Sequence, residues 1–247
     1  VSFRGKARIL HALCPCEGEA TARIFGYQVR LDLKDFIQRS IYLGVFEPEE
    51  TRLMKGHLRA GMVFVDVGAN VGFYSLLAAS VGCRVYAFEP SPYASARLKE
   101  TIRQNQIENI TVIESALSEE AGLKNLYVGK TGRNHTPTMV KNEGGTPITV
   151  SVQQLDTYAR KHGISRIHLM KVDVEGFELN VLRGAHELLE QGRISAILCE
   201  LNDPWLKMNG SSSRQLYEML LDFGFRAHKP PDFSKVNQNL FFTLSRP

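Results

Sequence analysis

Val65-Asp66-Val67-Gly68-Ala69-Asn70-Val71-Gly72-Phe73 is the stretch whose reading decides the fold. A continuous apolar run over 62–67 meets a glycine-bearing turn, and an apolar stretch rich in small residues follows over 70–80. That order reads as a buried strand, a tight turn and a helix, the opening unit of an open α/β sheet. Ligands of such sheets sit beyond the carboxyl ends of the strands. Gly68 has no Cβ, so the backbone there can approach a ligand closely; Gly72 lets the helix pack against the strand. The helix start offers N–H groups that no helical carbonyl takes, which suit a carboxylate.

Outward from this unit the rhythm repeats. Residues 84–89 read as a second strand, 92–106 as a second helix and 110–113 as a third strand. The pattern resumes with a strand at 167–173, a helix over 178–191, a strand at 194–200 and a helix over 214–223. Residues 225–229 and 240–244 read as an antiparallel hairpin at the sheet edge. Together these predict a doubly wound, seven-stranded, mostly parallel sheet with helices on both faces, a Rossmann-like α/β fold. Between the third and fourth βα steps, 123–128 and 148–152 alternate as strands around a long connection, 129–147, of the length usually found in functional or disordered loops. Residues 1–60 lack the rhythm. There Arg23-Ile24-Phe25-Gly26-Tyr27-Gln28-Val29-Arg30-Leu31 reads as two short strands about a glycine turn. Pro48 then opens a helix in Phe46-Glu47-Pro48-Glu49-Glu50, with acidic residues at its positive end. The division expected is an N-terminal cap, 1–60, and a ligand-binding domain, 61–247.

Composition narrows the class. The 247 residues are 43% hydrophobic and 23% charged, ordinary for a globular protein. A net charge of +4 is spread along the chain with no basic run, which gives no indication of nucleic acid. No apolar run approaches the ~20 residues of a membrane span, and no signal peptide is read. Four cysteines without a disulfide framework suggest a reducing, cytoplasmic setting. Cys14 and Cys16 with His11 fall short of a zinc set.

The glycines are spaced G-x-x-x-G. A dinucleotide fingerprint needs a further glycine where this chain has Asn70, so that pyrophosphate can sit against the backbone. Asp66 adds a carboxylate to the same turn. It would repel pyrophosphate but suits an ammonium or a sulfonium. S-adenosylmethionine carries both, with a carboxylate for the helix end, and is preferred to NAD on that ground. The alternative is a tight βα turn with a helix cap. Next comes Phe88-Glu89-Pro90-Ser91-Pro92, whose Glu89 ends the second strand 21 positions after Gly68. An acidic residue near that spacing accepts both ribose hydroxyls. Alone, Glu89 reads equally as a charge at a helix start; Ser91 is counted with the motif. The third strand leaves through Glu114-Ser115-Ala116-Leu117, where adenine would rest. Ser115, or a backbone amide at Ala116, could read the base, and an ordinary strand exit is the alternative.

With these motifs in place the chain resembles the FkbM family of methyltransferases. The resemblance covers roughly 43–202. It rests on Val65-Asp66-Val67-Gly68-Ala69-Asn70-Val71-Gly72, Ala87-Phe88-Glu89-Pro90, Ala116-Leu117-Ser118, Leu155-Asp156, Lys171-Val172-Asp173-Val174-Glu175-Gly176-Phe177-Glu178 and Gly184-Ala185. It implies a seven-stranded methyltransferase fold, S-adenosylmethionine as donor and O-methylation of an acceptor such as a sugar hydroxyl, a glycan or a hydroxylated natural product. The first 42 residues, 129–147 and 203–247 would choose the acceptor.

Asp173 ends the fourth strand and Glu175 follows two residues later, so both face the rim that carries Asp66 and Glu89. Two carboxylates there could orient and deprotonate a hydroxyl. Glu178 reads as a first-turn residue of the next helix, and Lys171 as a snorkelling side chain rather than a charge partner. His135, in the long connection, is a candidate general base, with a solvated loop histidine as the alternative. Glu200, Asn202 and Asp203 follow the fifth strand and, with Asp173, loosely resemble the magnesium ligands of catechol-type methyltransferases; no metal is assigned. Asn202-Asp203-Pro204-Trp205 brushes against the motif that grips base amino groups, but falls one strand late and lacks its second proline. Three rivals remain at this level: a nucleotide-dependent oxidoreductase, a non-catalytic module that binds the cofactor to dock a partner, and a nucleic-acid methyltransferase, which the dispersed charge and the misplaced motif disfavour.

Overall fold

A strand that is apolar on both faces needs cover on both, and helices return over it from each side. The computed structural model describes residues 17–129, 137–141 and 145–245. Cys14, Cys16, His11 and His135 lie outside the described residues. Strands β1 (Glu19–Ile24) and β2 (Tyr27–Asp32) form an antiparallel hairpin. Its turn residues Phe25 and Gly26 both take positive φ, as a two-residue turn matched to strand twist requires. Helix α1 (Phe36–Tyr42) starts at Asp35, whose carboxylate accepts the Gln38 N–H at 2.8 Å; α2 (Pro48–His57) follows.

The βα succession then runs β3 (Val63–Val67), α3 (Phe73–Ser80), β4 (Arg84–Phe88), α4 (Pro92–Gln104) and β5 (Ile110–Ile113). It resumes with α5 (Leu155–Lys161), β9 (Leu169–Val172), α6 (Glu178–Arg183), α7 (His186–Glu190), β10 (Ala196–Asn202), α8 (Asp203–Met208), α9 (Ser213–Asp222), β11 (Phe225–Ala227) and β12 (Asn237–Leu244). Between the two halves, β6 (Ala116–Leu117), β7 (Gly122–Gly129) and β8 (Gly145–Gln153) make a separate three-stranded sheet.

The main sheet has the order β11-β12-β10-β9-β3-β4-β5. Five central and flanking strands are parallel, and β12 runs antiparallel between β10 and β11. The seven-stranded, mostly parallel plan is therefore present, with its C-terminal hairpin at one edge. The order reverses at β3, because β4 lies on one side of it and β9 on the other. A crevice opens there beyond the strand tips. The two-residue period of each strand divides the core. Val65, Val67, Met170, Val172 and Ile197 pack on one face; Phe64, Ala87, Leu169 and Leu198 pack on the other, together with Leu31, Ile41 and Met54 of the N-terminal segment.

Three local readings change. The first helix begins at Phe73 rather than at 70, because Asn70 (φ 52°) and Gly72 (φ 92°) hold left-handed backbone that no helix admits. Gly72 makes room for α4 rather than for a strand: a Cβ there would lie 2.3 Å from Leu98 Cδ1. The helix expected over 178–191 is two helices. Its joint at Gly184 presses against the exit of β6, where a Cβ would meet the Ser118 carbonyl oxygen at 2.1 Å. Asp156 caps the restart by accepting the Glu187 and Leu188 N–H groups at 2.9 and 3.0 Å. The Asn202-Asp203-Pro204-Trp205 stretch starts α8, with Pro204 in its first turn.

Candidate active site

Sheet register brings together groups that are far apart in sequence. Asp66 on β3 lies opposite Lys171 on β9, and Lys171 lies opposite Leu198 on β10, two residues before Glu200. These polar groups share one face of otherwise apolar strands, so they meet in the crevice at the switch point. A cavity of about 300 Å³ opens there. Its wall includes Asp66, Gly68, Asn70 and Glu89 on one side, Lys171, Asp173, Glu175 and Glu200 on another, and Ala116 and Leu117 of β6.

Asp66 is 1% exposed. Ser75 Oγ donates to its Oδ2 at 2.6 Å, while its buried Oδ1 has no hydrogen-bond partner among the described residues. Burial raises this carboxyl above the ordinary aspartate range, with Lys171 pulling the other way. Glu89 is also buried. Asn70 N–H donates to its Oε2 at 2.7 Å and Ser91 N–H to its Oε1 at 2.8 Å. Each carboxylate oxygen has a second lone pair to offer. Burial pushes Glu89 up to about 7.

The turn amides are engaged, which changes one expectation. Gly68 and Ala69 N–H both donate to the Phe88 carbonyl, at 3.0 and 3.1 Å, and Asn70 N–H goes to Glu89. Buried N–H groups need partners, and here the neighbouring strand end supplies them. Gly68 makes room for protein backbone: an added Cβ would sit 1.9 Å from the Asp173 carbonyl oxygen. The glycine thus lets the turn after β3 touch the loop after β9.

Not every expected residue reaches the cavity. Ser91 caps α4, its hydroxyl accepting the Ala94 N–H at 3.4 Å. Ser115 donates to the Ala116 and Ser151 carbonyls at 3.0 and 3.1 Å. Neither serine, nor Gly72, is on the cavity wall, whereas Ala116 is.

Lys171 is 6% exposed, and its Nζ lies 2.7 Å from Asp173 Oδ2. It is a charge partner: its side chain is buried and its ammonium meets the Asp173 carboxylate rather than bulk solvent. Burial works against that ammonium, but Asp173, Glu47 and Asp66 together hold its pKa above the ordinary lysine range. Glu175 has positive φ (51°), and its carbonyl accepts Thr138 Oγ–H at 2.7 Å. Thr138 belongs to the long connection, from which Pro137 and Met139 also reach the cavity wall. Burial, then the charges of Asp173 and Glu178, push Glu175 up to about 8. Glu178 is fully buried and clasps the loop, accepting N–H groups from Val174 and Gly176 at 3.1 Å.

Sequence motifs miss one contributor and catch another only loosely. Glu47, just before α2, accepts Tyr74 Oη–H at 2.5 Å and joins the wall with Phe46 and Ile41. No motif surrounds it; the nearest signal is Pro48 marking a helix start. Glu200, two residues before the end of β10, is grouped with Asp173 in the sequence only through a loose ligand likeness, and it is the sheet register that sets it beside the residues after β9.

Buried carboxyls carry a pH signature. Glu47, Glu89 and Glu178 are held up to about 7 and Glu175 to about 8, against 4.5 in an open chain. Between those values the folded chain binds more protons than the unfolded one, so stability falls as pH rises. Burial lowers His168 and His228, which act in the opposite sense, but these are two groups near the surface. Lys171 titrates above the window and leaves it unchanged. Calorimetric melting of the free protein is expected at higher temperature near pH ~5.5 than near pH ~8. A melting temperature that rises steadily over that range contradicts the burial of these carboxyls.

Comparison with known proteins follows the same lines. The model of the methyltransferase FkbM domain matches residues 66–227, reaching past the 202 at which the motifs stop. The 31-O-demethyl-FK506 methyltransferase FkbM of Streptomyces tacrolimicus is 30% identical over 177 residues, 59% of this chain and 67% of that protein. The hexuronic acid methyltransferase AglP of Haloferax volcanii is 27% identical over 200 residues, 81% of this chain and 77% of that protein. Among solved structures the METTL16 MTase domain superposes with a TM-score of 0.54 at 15% identity, covering 90% of this chain and 75% of that one, a likeness of fold. No helix among the described residues is long and apolar enough to cross a membrane.

Proposed function

This chain belongs to the FkbM methyltransferase family, and we propose that it uses S-adenosylmethionine to methylate a hydroxyl of a sugar, a glycan or a hydroxylated natural product. The observation that carries the reading is the pair of buried carboxylates at the tips of β3 and β4. Among the described residues Asp66 keeps one oxygen without a partner, and Glu89 keeps a lone pair on each oxygen on the wall of the same cavity. Those groups fit the donor: Glu89 would take the ribose hydroxyls, Asp66 a positive group, and Gly68, Asn70 and Ala116 the surrounding wall. When bound, S-adenosylmethionine supplies a methyl group already activated on a sulfonium.

The chain's part is positioning and proton handling. Asp173, held at its Oδ2 by Lys171, is the carboxylate we assign to receive the acceptor's proton. Glu175, on the same wall, would orient the acceptor beside it. Leu117, Leu126 and Met139 would give the acceptor an apolar wall to pack against. By their names the relatives act on 31-O-demethyl-FK506 and on a hexuronic acid, which supports a hydroxyl acceptor of that breadth. The N-terminal cap, 1–60, would complete the acceptor side through Ile41, Phe46 and Glu47.

The test is calorimetric titration with S-adenosylmethionine. Glu89→Gln replaces one accepting oxygen by a donating NH2. One charge-assisted hydrogen bond, about 1.5–3 kcal/mol, is lost, so affinity should fall roughly 10- to 100-fold. Wild-type affinity in that variant removes Glu89 from the donor site.

A further inference from the structure

The carboxylates beyond β9 and β10 form a second arrangement within the cavity. One oxygen each of Asp173, Glu175 and Glu200 lies within 4.8 Å of the other two. Like charges this close repel, and Lys171 Nζ, 2.7 Å from Asp173 Oδ2, offsets only one of them. An independent observation concerns Glu200, which is 8% exposed. Asn237 Nδ2 donates to its Oε1 at 2.6 Å, yet its Oε2 is buried on the wall of the same cavity without a hydrogen-bond partner among the described residues. Folds seldom leave a buried carboxylate oxygen unsatisfied, because the cost of desolvation is then uncompensated.

We propose that Asp173, Glu175 and Glu200 bind a divalent cation of the magnesium or manganese class at the acceptor end of the cavity. The ligand set is all oxygen, which selects a hard cation over zinc or copper. Asn202, with Nδ2 3.4 Å from Glu175 Oε2, orients one ligand from the adjoining strand end. Sheet register fixes the other two, since Leu198 pairs with Lys171 and two residues further along bring Glu200 beside Asp173. Three protein oxygens leave coordination positions for water and for one or two acceptor hydroxyls. The cation would thus select acceptors that present vicinal or otherwise chelating oxygens. This rests on the methyltransferase reading for the identity of the acceptor, but not for the binding of the ion.

Mn²⁺ is the probe, followed by water-proton relaxation on the full chain, with S-adenosylhomocysteine binding measured in parallel by calorimetry without metal. One Mn²⁺ per chain is expected. Glu175→Gln combined with Glu200→Gln, which keeps side-chain shape, should weaken it at least tenfold while the melting temperature shows a folded protein and S-adenosylhomocysteine still binds. Equal Mn²⁺ affinity in the wild type and the double variant overturns the proposal. So does absence of Mn²⁺ binding at millimolar concentration in protein that binds S-adenosylhomocysteine, and the donor reading survives that result. Mn²⁺ bound by the wild type and lost from the variant, in protein that never binds S-adenosylhomocysteine, sustains the cation site and sinks the donor reading instead.

Discussion

Asp173→Asn is expected to lower turnover by roughly 10²–10⁴-fold, the range of a positioned proton acceptor, with S-adenosylhomocysteine affinity nearly unchanged. Asparagine cannot take up the acceptor's proton and is a poorer ligand for any cation. Its side-chain oxygen can still accept from Lys171 Nζ, which now sits 2.7 Å from Asp173 Oδ2. Lys171 also lies across the register from Asp66, so its buried ammonium keeps a counter-charge. Truncation to alanine leaves that ammonium without its hydrogen-bonded partner, and breaking such a buried pair outright costs about 3–5 kcal/mol. Asparagine is therefore the informative change. Single-turnover and steady-state kinetics on a methyl acceptor check it. Wild-type turnover would remove Asp173 from the chemistry, and a large loss of donor affinity would place it on the donor side.

Gly68→Ala should bring the largest loss of stability of any conservative change at the site. The new methyl would lie 1.9 Å from the Asp173 carbonyl oxygen and 3.0 Å from its carbon, both backbone atoms that cannot rotate aside. Overpacking of this kind costs about 1–3 kcal/mol. The left-handed backbone, φ 80°, adds about 1–2 kcal/mol for a residue with a Cβ. Set against a total of about 5–15 kcal/mol, the variant is left marginally folded. At about 2–4 °C per kcal/mol for a chain of this length, thermal melting should drop by roughly 10 °C. Gly26→Ala is the control. Its φ is 96°, but no atom lies within 4 Å of the added Cβ, so it carries the backbone cost alone. If both variants melt at the same temperature, contact with Asp173 has no part in the stability of the turn.

Much of this was legible in the sequence because burial writes itself into strands. Met62 to Val67 and Leu169 to Val172 are apolar on both faces, and a polar residue inside such a run, Asp66 or Lys171, is conspicuous. The glycine turn, Glu89 and the Asp173–Glu175 pair were visible for the same reason. Asp66, Gly68, Asn70, Glu89, Ala116, Asp173 and Glu175 all reach one cavity wall. What escaped depends on register and on local hydrogen bonds. The sequence groups Glu200 with Asp173 only through a loose ligand likeness, because its place beside the β9 loop is set by register. Ser91 and Ser115 stand in the right segments, but neighbouring amides and carbonyls claim their hydroxyls. Lys171 was misread because a snorkelling lysine and a buried ion pair have the same one-letter sequence. Helices α1, α5 and α8 are six or seven residues long, too short for periodicity to declare.

The hydrogen bond from Thr138 Oγ to the Glu175 carbonyl has a consequence for anyone wishing to retarget the enzyme. Loops tolerate change better than the elements they join, yet this one is fastened to the backbone beside the candidate site carboxylates. Grafting a foreign loop between β7 and β8 would therefore alter catalytic rate along with acceptor preference, unless the graft keeps a hydroxyl at that one position. Chimeras made with and without it offer a direct way to separate recognition from chemistry.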